Sequence, residues 1–150
     1  MDIHTPALTH RTTYRVIYGD TDTMGIVYHA NYLRWFEMGR NELFRHLGLP
    51  YKKIEAQGLM LPVSEVTCKY VSPARYDELL VIETKVNTSF RAGIQFDYTI
   101  TNEDGTVVHT TGTTRHAFVN EQGKVIRPPV FFRELVKKVS ESAEEKTDAF

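Results

Sequence analysis

Residues 18–32 read YGDTDTMGIVYHANY and separate two kinds of sequence pattern. Before them, residues 12–18 alternate between apolar and polar side chains, which is typical of a β-strand. After them, residues 30–47 follow the period of a helix, and Gly48 and Pro50 mark its end. The quoted stretch is therefore predicted to be a loop that leads from a strand into the start of a long helix.

The rest of the chain is rich in predicted strands. Residues 65–119 contain the alternation of four strands, most clearly at residues 94–101. A glycine turn at residues 102–105 joins the third and fourth of these strands. Pro128 and Pro129 then precede a short helix with apolar residues at helical spacing. The order strand, long helix, four antiparallel strands and short helix predicts an α+β domain.

The bulk properties limit the function classes. The 150 residues predict a single domain, with a core at about 12–135 and a frayed tail at 141–150. The chain carries 18 Lys and Arg against 19 Asp and Glu, a balance that argues against a nucleic-acid surface or a polybasic membrane patch. It has one cysteine, Cys68, and neither an apolar signal segment nor a membrane-length stretch, so we expect a cytoplasmic protein.

Two features predict how the predicted elements pack. Gly39 lies inside the long helix, where it costs about 1 kcal/mol relative to alanine, so a close approach of the helix to the sheet is expected. The strands also offer more apolar surface than one helix can cover, which predicts an oligomer.

The loop at residues 18–32 combines groups that suit acyl transfer. Asp20 and Asp22 supply carboxylates, His29 supplies a titratable ring, and Gly25 allows a substrate to approach the backbone. The start of the helix offers unpaired N–H groups that suit an oxyanion. The same aspartates are also common in turns, and Asn31 excludes a calcium loop because it occupies the position of the last acidic ligand.

Residues 20–32 resemble the signature of the 4-hydroxybenzoyl-CoA thioesterase superfamily, in particular its YbgC/FadM-type acyl-CoA thioesterase branch. That signature reads acid-x-Asp-x-x-Gly-x-Val-x-His-x-x-Tyr, and every fixed position is matched. The similarity continues through residues 34–37 and 70–77. It implies the hotdog fold, a curled antiparallel sheet wrapped around the long helix, with edge-to-edge dimers or tetramers. It also implies acyl-CoA thioesterase activity without a metal or cofactor.

The resemblance implies roles for individual residues. Asp22 corresponds to the catalytic carboxylate, acting as general base or as nucleophile, with His29 and Tyr18 in supporting roles. The backbone N–H at His29 corresponds to the group that polarises the thioester carbonyl. The expected contacts to substrate and to the CoA phosphates are Gly25, Val27, Tyr32, Lys69, Arg75 and Arg91, with Arg127 as a further cationic candidate.

Three alternatives stay open at this point. Glu37 is a rival carboxylate, because another type of hotdog thioesterase uses one on the helix. The chain could be a non-catalytic module that binds acyl-CoA or acyl-carrier protein, or a hotdog enoyl-acyl hydratase or dehydratase. The sequence also leaves the acyl chain length, an aliphatic or aromatic acyl group, and CoA or carrier protein undecided.

Overall fold

A computed structural model of the protein describes residues 8–138. The chain begins with β1 (Thr9–Arg15), a 3-10 turn (Tyr18–Asp20), α1 (Asn31–His46) and α2 (Tyr51–Ala56). Strands β2 (Val63–Tyr70), β3 (Leu79–Val86), β4 (Ile94–Asn102) and β5 (Val108–His116) follow, then the short strands β6 (Phe118–Val119) and β7 (Val125–Ile126). A last helix, α3, occupies residues 130–138. The frayed tail predicted for residues 141–150 lies outside the described residues.

The main sheet has the order β1-β3-β4-β5-β2, and all its neighbouring strands are antiparallel. Helix α1 packs on one face of this sheet, against β1, β3 and β4. This confirms the predicted architecture of one antiparallel sheet around one long helix, with a helix at the end. Helix α2 and the β6–β7 hairpin were not predicted, because six-residue and two-residue elements are too short to show a clear period.

The core lies between α1 and the inner face of the sheet. Phe36 of α1 stacks on Tyr98 of β4 with ring centroids 4.2 Å apart. The predicted close approach at Gly39 is confirmed: an added Cβ would lie 2.9 Å from Cγ2 of Ile82 and closer still to Oγ1 of Thr84. Glycine at this position therefore allows the helix backbone to rest directly on β3.

Two details of the prediction were wrong. The first strand ends at Arg15 rather than at residue 18, because the buried Asp20 side chain accepts a hydrogen bond from the Ile17 amide and turns the chain early. The alternation in β2 predicts one buried face, yet nearly all of the strand is exposed, including Val66 and Tyr70. Its exposure follows from its place beside β5 at the sheet edge, beyond the strands β1, β3 and β4 on which α1 packs.

The residues at 8–138 contain no helix long and apolar enough to cross a membrane. In the same part of the chain, no group of three or more His, Cys, Asp or Glu side chains is arranged to hold a metal ion.

A buried hydrogen-bonded chain runs from β5 into the core. His116 is 2% exposed, with Nδ1 3.0 Å from the carbonyl oxygen of Leu61 and Nε2 2.8 Å from Oγ1 of Thr114. Thr114 Oγ1 in turn lies 2.6 Å from the hydroxyl of Tyr98. Burial, with a smaller effect of Arg40, lowers the pKa of His116 to about 4, so the ring is neutral at pH 7. Nδ1 therefore donates to Leu61, and Nε2 accepts from Thr114.

This neutral histidine should make stability depend on pH. In the unfolded chain a histidine has a pKa of about 6.5 and so takes up a proton more readily than folded His116. The contribution is present above pH 6.5 and is lost as the pH falls toward 4. From pH 7 to pH 5 we expect the unfolding free energy to decrease by about 2 kcal/mol because of His116. Urea unfolding of wild type and His116→Gln at both pH values measures this, and equal decreases would contradict it.

Candidate active site

The loop at residues 20–25, the signature loop, is closed by its own backbone. The amide of Asp22 donates to the carbonyl of Ile26 at 2.9 Å, and the amide of Gly25 donates to the carbonyl of Asp22 at 3.0 Å. Gly25 has a φ of 77°, which favours glycine. A bridge between Thr21 and Val27 then fixes the loop against the start of α1. The tight turn presents Asp22 at the surface.

The two aspartates of the loop have different surroundings. Asp20 is buried, and its Oδ2 accepts hydrogen bonds from the Tyr14 hydroxyl at 2.8 Å and the Ile17 amide at 2.9 Å. Burial and the Asp20 carboxylate raise the pKa of Tyr14, so the phenol keeps its proton and remains a donor. Asp22 is partly exposed; its Oδ1 accepts from the Met24 amide at 2.8 Å, and its Oδ2 has no hydrogen-bond partner within residues 8–138. Oδ1 of Asp20 also has no partner there, but Asp20 is 4% exposed, so Asp22 is the more accessible of the two carboxylates.

The backbone carbonyl of Asp20 anchors the segment that leads into α1. It accepts hydrogen bonds from the Tyr28 amide at 2.9 Å and from Nδ2 of Asn31 at 2.8 Å. The loop and the first residue of the helix are therefore held by one acceptor, and the position of the helix start follows that of the signature loop.

The amides that precede α1 are left unpaired. Those of His29 and Ala30 donate no hydrogen bond to any residue of the described chain, and no side chain caps the helix. Both lie at the positive end of a sixteen-residue helix. Unpaired N–H groups at this end can bind an oxyanion.

Aromatic side chains surround the helix start. The hydroxyl of Tyr70, on β2, donates to the carbonyl of His29 at 3.0 Å, and the two rings meet edge to face at 6.1 Å. The ring of His29 also lies 4.6 Å from that of Tyr28. Tyr18 is 79% exposed and touches the edge of Tyr76. The structure therefore places His29 at the helix start and Tyr18 at the surface before the signature loop.

Val27 and Tyr32, two of the predicted substrate contacts, are buried. The Val27 amide donates to the carbonyl of Ala74 at 2.9 Å, and the Tyr32 hydroxyl accepts from the Ala74 amide at 3.3 Å. In the single chain the Val27 amide and the Tyr32 hydroxyl thus tie the helix start to Ala74, and both residues present little surface. Gly25, in contrast, is exposed at the tip of the loop.

The predicted cationic contacts fall in different places. Arg75 pairs through its backbone with Ile26, so it lies next to the signature loop. Lys69 points to the opposite side of β2 from Tyr70 and borders a depression of about 350 Å³ on the outer face of the sheet.

Arg91 lies in a third region, away from Arg75 and Lys69. It lines a cavity of about 570 Å³ together with Arg127 and Arg133. None of the three forms an ion pair within the described residues. Sequence reasoning missed Arg133, since a surface arginine on a short helix carries no local signal.

The rival carboxylate, Glu37, is exposed on α1. It borders a cavity of about 120 Å³ with Arg40, Asn41 and His116, and no residue of the signature loop lines this cavity. In the single chain, Glu37 and the signature loop therefore do not line this cavity together.

Comparisons with known proteins show the chain's relatives. The model of the thioesterase-like superfamily matches residues 16–141. An acyl-CoA thioesterase YbgC of Haemophilus influenzae is 36% identical over 124 residues, 82% of this chain and 88% of that protein. The solved DHNA-CoA thioesterase of Staphylococcus aureus is 32% identical with a TM-score of 0.82, covering 92% of this chain and 95% of that one. The solved 4-hydroxybenzoyl CoA thioesterase of Pseudomonas sp. strain CBS-3 is 25% identical with a TM-score of 0.73, covering 86% and 99%.

Proposed function

This chain belongs to the thioesterase-like superfamily, with the hotdog fold and a thioester hydrolase activity, and from that premise we propose that Asp22 and the start of α1 hydrolyse an acyl-CoA. One observation carries the proposal. Oδ2 of Asp22, a carboxylate oxygen without a partner, belongs to the same loop whose Asp20 carbonyl accepts from Tyr28 and Asn31, the residues on either side of the unpaired amides of His29 and Ala30. These are the attacking group and the oxyanion site that acyl transfer needs.

In the proposed reaction, the thioester carbonyl oxygen accepts hydrogen bonds from these amides. Asp22 either removes a proton from the attacking water or attacks the carbonyl carbon itself. In the second route the C–S bond breaks to give a mixed anhydride, which water then opens. Both routes release the free acid and the CoA thiol. A thiol with a pKa of about 8.5 leaves with little assistance, so no separate general acid is needed.

The CoA phosphates require cations. We assign them to the cavity of Arg91, Arg127 and Arg133, because three guanidinium groups without carboxylate partners suit a polyanion. Arg75 remains a further candidate beside the signature loop, and Lys69 is the weakest, since it lies on the outer face of the sheet.

The site is proposed to be shared between two subunits. Strand β2 leaves one edge of the sheet unpaired and exposes apolar side chains, among them Val66 and Tyr70. An open edge of this kind favours pairing with a second strand. Because the Tyr70 hydroxyl bonds to the carbonyl of His29, this edge adjoins the helix start. A dimer through β2 would therefore place a second chain next to the active site. The same interface is compatible with a tetramer built from two such dimers.

A thiol-release assay over acyl-CoAs of short, long and aromatic acyl groups tests the proposed function. We expect turnover of at least one class, at a rate that identifies the acyl preference. Addition of water to an enoyl-CoA without thiol release would support a hydratase instead. Saturable binding of acyl-CoA without any turnover would support the binding module. The reduced cytoplasm remains the proposed compartment.

His29→Ala should slow turnover by about 10–100-fold, since a side chain that orients water or Asp22 contributes less than the attacking group. The backbone amide survives this substitution, so the oxyanion site is retained. The measurement is kcat for the fastest acyl-CoA of the panel, with Tyr28→Ala, the neighbouring exposed ring, as control. If His29→Ala has the turnover of wild type, the ring contributes to packing and not to catalysis.

A further inference from the structure

A buried histidine that the proposed chemistry does not use lies at the start of β5. His109 is 3% exposed, and a register shift between β4 and β5 next to it turns its side chain inward. Its Nδ1 is 3.1 Å from the carbonyl oxygen of Ser72, and its Nε2 is 3.3 Å from Oε2 of Glu78. The second contact has the distance of an ion pair without the alignment of a hydrogen bond. One ring therefore touches both ends of residues 71–78, which we name the clamp loop.

The clamp loop is fixed at both of these ends. At its beginning, the amides of Val71 and Ser72 donate to the carbonyl of His109 at 2.9 and 3.2 Å. At its end, the Glu78 carboxylate accepts from the Arg75 amide at 3.1 Å. Removal of the His109 ring would leave these bonds, and those between Val16 and residues 77–78, in place, but it would remove the contacts to Oε2 of Glu78 and to the Ser72 carbonyl.

The middle of the clamp loop holds the start of α1. Ala74 is fully buried; its carbonyl accepts from the Val27 amide, and its amide donates to the Tyr32 hydroxyl. Val27 and Tyr32 lie on either side of the unpaired amides of His29 and Ala30. A displacement of Ala74 would therefore move the proposed oxyanion site.

We propose that His109 is a positioning residue for thioester hydrolysis: with Glu78 it fixes the clamp loop, and through Ala74 it sets the place of the His29 and Ala30 amides. The proposal rests on the proposed function. It differs from a catalytic triad in which His109 and Glu78 would activate Ser72 as the nucleophile. The Ser72 hydroxyl donates to the carbonyl of Val108 at 2.8 Å and lies 3.5 Å from Nδ1 of His109, so its proton is not directed to the ring.

Removal of the ring should affect kcat more than KM. The amides stabilise charge that develops in the transition state, and a misplacement of about 1 Å in such a site can cost on the order of 100-fold in rate. We expect kcat of His109→Ala to fall by about 10–100-fold with KM within about threefold of wild type. His109→Asn should recover part of this loss, because its side-chain amide can replace Nδ1 as the donor to Ser72.

His116→Ala is the matched control. His116 is as buried as His109, at 2% against 3%, and lies on the same strand, but it touches Leu61 and Thr114 instead of the clamp loop. Below the melting temperatures of both variants, we expect a kcat within about threefold of wild type for His116→Ala. Equal losses in the two variants, or a His109→Asn enzyme no faster than His109→Ala, would overturn the positioning role. So would a Ser72→Ala enzyme that has lost its activity, which would indicate a nucleophile.

A measurement that needs no substrate tests this inference independently of the proposed function. In ¹⁵N-labelled protein, the amide resonances of His29 and Ala30 should shift in His109→Ala and stay in place in His116→Ala. Unmoved resonances in His109→Ala would overturn the inference even in an active enzyme. A wild type that releases no thiol, with these resonances shifted as expected, would reject the proposed function alone.

Discussion

Asp22→Asn should lose turnover by about 10²–10⁴-fold while its fold and its affinity for CoA are retained. An asparagine amide can neither accept the proton of the attacking water nor form an anhydride, so both routes are closed. The exchange keeps the size of the side chain, and its Oδ1 can still accept from the Met24 amide. The measurement is kcat for thiol release, accompanied by thermal unfolding and CoA binding. A variant that has lost CoA binding as well would make the effect a loss of the site rather than of its carboxylate.

Asp20→Asn should differ from Asp22→Asn in its effect on stability, because the two aspartates have different surroundings. The Asp20 carboxylate holds the Tyr14 hydroxyl and the Ile17 amide in a buried place, so its loss should lower the melting temperature. Asp22→Asn, at a partly exposed carboxylate, should leave the melting temperature nearly unchanged. The pair of variants therefore separates a residue that builds the loop from one that reacts.

Separating the subunits should remove most of the activity, by about 100-fold or more if the partner chain completes the site. Val66→Glu places a charge on the β2 edge, where the wild-type side chain is 44% exposed in the single chain, so the monomer should still fold. Light scattering should show a smaller mass for Val66→Glu, with a matching loss of thiol release. Val107→Glu, at 40% exposure in the turn before β5, is the matched control. It should keep the wild-type mass and the wild-type rate of thiol release. A monomeric Val66→Glu protein with full activity would contradict the shared site.

Mixed subunits test the same idea without a change of mass. If Arg91 serves the active site of the partner, a chain with Asp22→Asn and a chain with Arg91→Gln each fail alone. A mixed dimer contains one site with neither defect, so random mixing of equal amounts should restore about a quarter of wild-type activity. Absence of any recovery, with mixed dimers demonstrated, would place Asp22 and Arg91 in the same chain's site.

The elements that the sequence predicted are those that rest on local periodicity. Strand β4 alternates without interruption from Ile94 to Ile100, and the glycine at position 39 marks the contact of α1 with the sheet. The signature loop could be placed because its turn depends on Gly25 and on residues within four positions of Asp22.

What the sequence could not predict depends on residues far apart in the chain. The exposure of β2 follows from the strand order, which puts it beside β5 and beyond the strands that α1 covers. His109 meets Glu78 although 31 positions separate them along the chain, and a β-bulge decides its inward direction. Arg91 and Arg133 share a cavity only because the start of β4 and helix α3 come together in the folded protein.

The most direct test of the central claim compares two carboxylates under one set of conditions. Asp22→Asn and Glu37→Gln are assayed in parallel at saturating acyl-CoA, with thiol release as the readout. We predict that Asp22→Asn loses turnover by about 10²–10⁴-fold and that Glu37→Gln, at a cavity that no residue of the signature loop lines, stays within about threefold of wild type. Near wild-type turnover in Asp22→Asn together with an inactive Glu37→Gln enzyme would contradict the account and move the reaction to the helix carboxylate.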